Sequence, residues 1–212
     1  MDELKTLLSR GAEALGMETT KTQEDSLALF LNNVLSENKK FNLTGIKDPK
    51  EATIKHLLDS LSLANNIEGN TIMDVGSGAG FPGIPLAIIQ PKNKFILVES
   101  KKKKAQFILE ASHALGLDNV LVIGKRSEEV GPNHSADAIV SRALGSLNYF
   151  IEKTKHLLAK NGNLYAMKGK NPEEEINSLI KGWAVAQIKK IDVPYLEAER
   201  HLITITRKHK GG

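Results

Sequence analysis

Residues 74–83 read DVGSGAGFPG, so that an acidic residue and four glycines directly follow a short apolar run. The preceding Thr71-Ile72-Met73 is apolar and β-prone, which predicts a buried strand, and residues 83–90 are apolar enough to form the helix that follows. Glycine in the turn between them allows positive φ angles and lets a ligand approach the backbone closely. The segment therefore predicts a loop that binds a nucleotide-like cofactor.

Composition excludes several classes of protein. With 212 residues, 41% of them hydrophobic, the chain can bury a full core, and it has no apolar run near the roughly 18 residues that span a bilayer. Cysteine is absent, and the six histidines show no close metal-ligand spacing. We therefore expect a cytoplasmic protein without membrane contact, disulfides or bound metal. The net charge of +4 is compatible with nucleic acid but does not establish it.

The chain changes character near residue 70. Residues 1–69 are predicted to be helical and include a helix that begins at Asp48-Pro49, where Asp48 can act as the cap. From residue 70 onward, strand-like and helix-like segments alternate, which implies a parallel sheet covered on both faces. We therefore predict an amino-terminal helical extension, residues 1–69, and a second domain, residues 70–212.

The expected elements of the second domain can be placed individually. Strands are predicted near residues 70–75, 94–99, 119–123, 137–141, 162–167, 183–193 and 201–207. Helices are predicted near residues 83–90, 102–116, 146–159 and 172–181. The last two strands have no helix between them and should form an antiparallel hairpin. The fold class is therefore α/β, with a seven-stranded, mostly parallel sheet.

The glycines of the loop fit two registers. The pattern G-x-G-x-x-G fits Gly78, Gly80 and Gly83. The pattern G-x-G-x-G fits Gly76, Gly78 and Gly80. In the dinucleotide fingerprint G-x-G-x-x-G, the first glycine directly follows the strand, and here that glycine is Gly76. The third glycine of the fingerprint would then fall at position 81, which is Phe81. The loop therefore does not match the dinucleotide fingerprint. An acidic residue two positions before the first glycine, here Asp74, resembles instead the first motif of Rossmann-like methyltransferases that use S-adenosylmethionine. There the carboxylate supports the loop or the methionine ammonium.

A second acidic residue, Glu99, ends the next predicted strand. At this place a carboxylate can accept hydrogen bonds from both ribose hydroxyls. NAD and S-adenosylmethionine both contain ribose, so Glu99 indicates a nucleoside without separating the two cofactors. Because Asp74 and Glu99 end consecutive strands, a shared cofactor site is favoured over two separate capping or surface roles.

The methyl acceptor is narrowed by what the chain lacks. Methylation of exocyclic base amines commonly accompanies an Asp/Asn-Pro-Pro-aromatic motif after the fourth strand, where residues 137–144 read DAIVSRAL. Methylation at C5 of a pyrimidine requires a cysteine nucleophile. Guanine N7 needs neither device, because its free lone pair can attack a sulfonium methyl directly. Catalysis would then come from proximity and orientation, and we assign no catalytic side chain.

Four motifs occur in a fixed order along the chain. They are Asn42-Leu43-Thr44-Gly45-Ile46, His56-Leu57-Leu58-Asp59-Ser60, the stretch from Asp74 to Pro85, and Val140-Ser141-Arg142-Ala143. Together they resemble the bacterial ribosomal RNA small subunit methyltransferase G family, also called glucose-inhibited division protein B, over nearly the whole chain. The resemblance implies a Rossmann-like class I fold. It also implies methyl transfer from S-adenosylmethionine to N7 of a guanine in 16S ribosomal RNA.

The resemblance also implies the cofactor site. By that resemblance the cofactor-contacting positions are Gly76, Phe81, Ser127, Glu128 and Arg142, and Glu99 takes the ribose position. From the loop itself we add Asp74, Gly78 and Gly80. Members often carry Asp where this chain has Glu99. For Arg142, an RNA phosphate or a structural ion pair are the alternatives.

Basic and polar residues near the predicted site are candidates for RNA contact. They are Asn42, His56, Asp59, Lys101, Lys102, Lys103, Lys104, Lys168 and Lys170. Four lysines that begin a helix oppose its dipole, which suggests an anionic partner, although a solvated surface run is the alternative. Taken alone, His56 and Asp59 fit a helix-stabilising pair better than a substrate contact. Lys168 and Lys170 follow the fifth strand, beside the expected cleft.

Two other classes of function stay open on these residues, one enzymatic and one noncatalytic. A small-molecule methyltransferase or an NAD(P)-dependent enzyme would use the same loop. A noncatalytic RNA-binding ribosome assembly factor would retain the fold and bind RNA without methyl transfer. For the favoured function we expect a monomer whose partner is 16S ribosomal RNA or the small ribosomal subunit.

Overall fold

The computed structural model describes residues 2–142 and 144–208. Ala143, the last residue of one family motif, and residues 209–212 of the predicted second domain lie outside the described residues. Within the described ranges the chain forms one seven-stranded sheet, whose two faces each carry a hydrophobic layer. The predicted α/β class is therefore confirmed.

Two helices open the chain, α1 (Asp2–Ala14) and α2 (Lys21–Asn38). Helix α2 begins at a capping box, in which Thr20 Oγ1 accepts from the Gln23 backbone N–H and Gln23 Oε1 accepts from the Thr20 backbone N–H. Two orphan donors of the first turn are thereby satisfied. None of the helices in the described ranges is long and apolar enough to cross a membrane.

A third helical stretch has a wider turn in its middle. It consists of α3 (Pro49–Ala52), a π-helical segment (Thr53–Leu58) and α4 (Asp59–Leu61). The predicted cap is present, because the Asp48 carboxylate accepts from the Glu51 backbone N–H at 2.7 Å. π-Helical turns are rare and often occur at functional sites, and this one carries His56.

The sheet contains seven strands. They are β1 (Thr71–Val75), β2 (Lys94–Val98), β3 (Val120–Ile123), β4 (Ala136–Arg142), β5 (Leu158–Lys168), β6 (Trp183–Lys190) and β7 (His201–Arg207). Their order is β3-β2-β1-β4-β5-β7-β6. The pairs from β3 to β5 are parallel, and β7 runs antiparallel to both β5 and β6. The predicted antiparallel hairpin is confirmed.

Short helices connect the strands. They are α5 (Gly83–Ile89), α6 (Lys102–Ala114), α7 (Leu147–Thr154) and α8 (Glu173–Asn177), with 3₁₀ turns at Ser127–Glu129 and Pro132–His134. The predictions of residues 146–159 and 172–181 as helices were too long. Helix α7 ends early because Leu158 already pairs with Ala136 of β4, so that strand pairing overrides the local helical pattern.

Alternate side chains of the strands fill the two hydrophobic layers. Met73 and Ile96 point into one layer, and Ile72 and Leu97 into the other. The second layer also receives Phe30 of α2, so the amino-terminal helices share a core with the sheet. The division of the chain at residue 69 stays a prediction.

Phe30 provides a test of this packing, because its ring is fully buried and its centroid lies 5.1 Å from that of Phe81 in the glycine loop. Phe30→Ala should lower the free energy of unfolding by about 3–5 kcal/mol, since it leaves a cavity in the core. Leu29→Ala is the matched control on the same helix, because Leu29 is 47% exposed. Its effect in urea denaturation should stay within about 0.5 kcal/mol. Equal losses would contradict the packing of α2 on the loop.

Candidate active site

The glycine loop lies at the carboxyl end of β1 and contains three residues in the left-handed region. Gly76, Gly78 and Gly80 have φ angles of +76°, +61° and +95°, which other residues adopt only with strain. A Cβ atom on Gly76 would also stand 3.1 Å from Leu144 Cδ1. Glycine at these positions is therefore required by backbone conformation, as expected from the sequence.

Asp74 joins the two ends of this loop by a hydrogen bond. Its carboxylate is 1% exposed, and Oδ2 accepts a 3.0 Å hydrogen bond from the backbone N–H of Gly83, the first residue of α5. The second oxygen, Oδ1, is buried and accepts no hydrogen bond within the described residues. Burial raises the pKa of Asp74 to about 7. A buried acceptor without a partner suits a cofactor that brings its own donor, such as an ammonium group.

Glu99 ties the loop to the start of α6. Its Oε2 accepts from the Gly78 backbone N–H at 2.9 Å, and its Oε1 accepts from the Lys101 backbone N–H at 2.7 Å. A carboxylate has about four lone-pair sites, so each oxygen keeps a further acceptor position. Contacts to ribose hydroxyls would therefore add to these two bonds rather than replace them.

A small cleft opens beside the loop, between the ends of β1 and β2 and helix α7. This cleft of about 100 Å³ is lined by Val75, Gly76, Val98, Ser100, Lys125, Arg126, Ser127, Glu128, Leu144, Tyr149 and Lys153. Three of the sequence-predicted cofactor residues, Gly76, Ser127 and Glu128, thus line one cleft. Glu128 forms an ion pair with Lys153, whose ammonium lowers the pKa of Glu128.

Arg142, at the end of β4, points away from this cleft toward the π-helical segment. Its Nη1 donates to the Lys55 carbonyl at 3.1 Å and to Asp59 Oδ2 at 3.2 Å, and its Cζ lies 5.8 Å from the ring centroid of Phe81. Asp59 is 1% exposed and also accepts from Arg200 Nε at 2.8 Å. Two guanidinium groups therefore pair with one buried carboxylate. Nothing in the local sequence around Arg200 points to this role.

His56 belongs to the same cluster. Its ring stacks on Phe81 with centroids 4.6 Å apart, and its two nitrogens lie 2.7 Å from Thr44 Oγ1 and 3.4 Å from Arg142 Nη2. Burial, followed by the nearby Arg142 cation, lowers the pKa of His56 to about 4. The imidazole is therefore neutral near pH 7. Since Arg142 only donates, Nδ1 is the acceptor and Nε2 donates to Thr44.

The predicted RNA-contacting lysines fall into different environments. Lys101, Lys102 and Lys103 are exposed at the start of α6 and take part in no ion pair within the described residues. Lys104 instead donates to the Leu43 carbonyl at 3.0 Å. Three lysines of the run thus face solvent, and the fourth, Lys104, has a structural hydrogen bond.

The other candidates lie at two separate places. Lys168 donates to the Gly145 carbonyl at 2.8 Å and pairs with Glu175 at 2.9 Å, so its charge is balanced, whereas Lys170 is exposed. Asn42 is exposed on the loop after α2. The neighbouring Asn38, which the sequence pattern did not single out, holds that loop by accepting from two of its backbone N–H groups.

Solved structures with a similar fold include methyltransferases. A SAM-dependent methyltransferase from Aquifex aeolicus superposes with a TM-score of 0.56 at 21% identity, over 81% of this chain and 97% of that one. The mitomycin 7-O-methyltransferase MmcR gives a TM-score of 0.62 at 14% identity, over 84% and 60%. At these identities the likeness concerns the fold alone.

Sequence relatives define the family. A family model described as rRNA small subunit methyltransferase G matches residues 23–203. The ribosomal RNA small subunit methyltransferase G of Nitrosococcus oceani is 40% identical over 100% of this chain and 99% of its own length, and that of Neisseria meningitidis serogroup B is 40% identical over 97% and 100%. The chain belongs to the rRNA small subunit methyltransferase G family. It is an rRNA methyltransferase whose cofactor is S-adenosylmethionine.

The raised pKa of Asp74 gives a testable pH dependence. Between its unfolded value of 3.8 and about 7, the folded protein holds a proton that the unfolded chain has lost, so stability falls as pH rises. Asp74→Asn removes this titration. The stability of the cofactor-free wild type relative to Asp74→Asn should fall by up to about 1.4 kcal/mol per pH unit between about pH 5 and pH 7. Denaturant titrations at several pH values measure it, and a constant difference would contradict the raised pKa.

Proposed function

We propose that the protein methylates N7 of a guanine in 16S ribosomal RNA by direct in-line transfer. S-adenosylmethionine supplies a methyl group on a sulfonium centre, and the N7 lone pair displaces the thioether to leave a cationic base. N7 carries no proton, so no general base is needed. The small ribosomal subunit or its free RNA is the proposed partner, and the expected monomer in the cytoplasm stays a prediction.

One observation carries this proposal, namely that the acid and base groups around the site are engaged, except for Asp74 Oδ1, which is buried and does not line the cofactor cleft. His56 is neutral and hydrogen-bonded at both nitrogens, and Asp59 holds two arginines. Glu99 accepts from two backbone N–H groups, and Glu128 pairs with Lys153. Such a site favours an acceptor that reacts through a free lone pair over one that must first lose a proton.

The proposed contribution of the chain is therefore to bind and orient. Asp74 and Glu99 fix the loop from two sides, which pre-orders the backbone that faces the cofactor cleft. Phe81 is held between His56 and Phe30, with centroid distances of 4.6 and 5.1 Å. Rotational freedom removed before the reaction lowers the barrier of the bimolecular step.

Nucleoside analysis tests the acceptor. The protein is incubated with S-adenosylmethionine labelled in the methyl group and with 16S RNA lacking the modification, both as free RNA and as small subunits. The label should appear in 7-methylguanosine in at least one of the two substrates. Label in any other nucleoside would refute the N7 assignment, and RNA binding without label would favour a noncatalytic assembly factor.

Two glycine variants control this experiment. Gly76→Asp puts bulk and negative charge into the cofactor cleft and should abolish both cofactor binding in calorimetry and methyl transfer. Gly116→Asp makes the same change at a similar φ of +63°, with no atom within 4 Å of the new Cβ, after the end of α6 at the opposite edge of the sheet. It should keep full cofactor affinity. Unchanged affinity in Gly76→Asp would count against the role of the loop.

A further inference from the structure

A polar cleft separate from the cofactor cleft lies between α2, the loop of residues 39–48 and the start of α3. It measures about 770 Å³ and is lined by Asn32, Leu35, Ser36, Asn38, Lys39, Asn42, Lys47 and Pro49. We propose that this α2–α3 cleft binds a nucleotide of the substrate RNA that flanks the methylated guanine. The inference rests on the proposed function and adds the surface along which the RNA lies.

The size and lining of the α2–α3 cleft suit a nucleotide. Its volume falls within the roughly 300–1,000 Å³ of sites that enclose small ligands. Asn32, Asn38 and Asn42 bring amides that both donate and accept, as the edges of an unstacked base require. The Asn38 oxygen is used by the loop backbone, which leaves its NH₂ group for a ligand. Leu35 and Pro49 offer apolar surface to the face of a base.

Three lysines that form no ion pair within the described residues lie at or next to the same cleft. Lys39 and Lys47 line it, and Lys50 follows on the first turn of α3; none of the three forms an ion pair within residues 2–142 and 144–208. The neighbouring Lys40 and Lys55 are instead paired with glutamates. Unpaired lysines beside a polar cleft are the electrostatic partner that RNA phosphates need.

Direct contacts join the α2–α3 cleft to the cofactor loop and to the lysine run. Lys104 Nζ donates to the Leu43 carbonyl at 3.0 Å, which brings the loop of residues 39–48 against the start of α6. From the same loop, Thr44 Oγ1 contacts His56 Nε2 at 2.7 Å, and the His56 ring stacks on Phe81. An RNA strand that crosses the lysine run and the α2–α3 cleft therefore passes beside the cofactor loop.

The opposite side of the site is less suited to RNA. Of the two basic residues expected there, Lys168 is paired with Glu175 of α8, and Lys170 is exposed. Helix α8 begins with three consecutive glutamates at residues 173–175, which would repel phosphates. The distribution of charge therefore favours RNA binding on the side of the α2–α3 cleft.

Acetylation footprinting tests which side the RNA covers. The protein with S-adenosylhomocysteine is treated with an amine-acetylating reagent in the absence and presence of 16S RNA or small subunits, and modified lysines are quantified by mass spectrometry. Lys39 and Lys47 should be protected severalfold. Lys92 and Lys94, exposed at the amino edge of the sheet, should be unchanged. Full reactivity of Lys39 and Lys47 in the bound state would overturn the inference.

Variants separate charge from base recognition. Lys39→Ala/Lys47→Ala should make the negative slope of log affinity against log salt concentration shallower by about 1.4 and raise the RNA KM about tenfold. Lys92→Ala/Lys94→Ala removes the same charge and should change neither. Asn42→Ala should raise the RNA KM without changing the slope. Cofactor affinity should be that of the wild type in all of them.

The outcomes distinguish this inference from the proposed function. Suppose that Lys39→Ala/Lys47→Ala forms 7-methylguanosine with the salt dependence and RNA KM of the wild type. That result would refute RNA binding at the α2–α3 cleft and leave the N7 assignment intact. Protection of Lys39 and Lys47 with label in another nucleoside would keep the cleft and refute the N7 assignment.

Discussion

The hydrogen bond from the Gly83 backbone N–H to the buried Asp74 carboxylate is the interaction on which the site depends. At 3.0 Å it joins the end of β1 to the first residue of α5 and so closes the glycine loop. The fit leaves no space for a side chain, because a Cβ atom on Gly83 would lie 2.8 Å from Leu97 Cγ. Burial penalises the charged carboxylate and raises its pKa. A destabilised buried carboxyl of this kind is common at functional sites.

The amino-terminal helices complete the site instead of only extending the chain. The π-helical segment brings His56 onto Phe81 of the loop, and Asp59 fixes Arg142 and Arg200 from β4 and from the residue before β7. Elements far apart in sequence therefore meet at one buried carboxylate. The same helices form the α2–α3 cleft, so that a single packed unit supports both the proposed cofactor contacts and the proposed RNA surface.

The sheet and the glycine loop were predictable because their signals are local. Short runs of apolar, β-prone residues mark the strands, and the positive φ angles of the loop require glycine at the places where the sequence has it. Two ion pairs could not be predicted from the sequence, because they depend on side-chain directions set by tertiary packing. They join Arg200 to Asp59 and Lys168 to Glu175. Helix α7 was overextended for a related reason, since pairing with β4 decides where β5 begins.

A crystal structure of the protein with S-adenosylhomocysteine would show whether the loop fixed by Asp74 and Glu99 presents its backbone to the cofactor. The nucleoside should lie in the cleft between the ends of β1 and β2, with its ribose at Glu99 and its adenine beside Ser127 and Glu128. A nucleoside bound away from Gly76, for example in the α2–α3 cleft, would contradict this role of the loop.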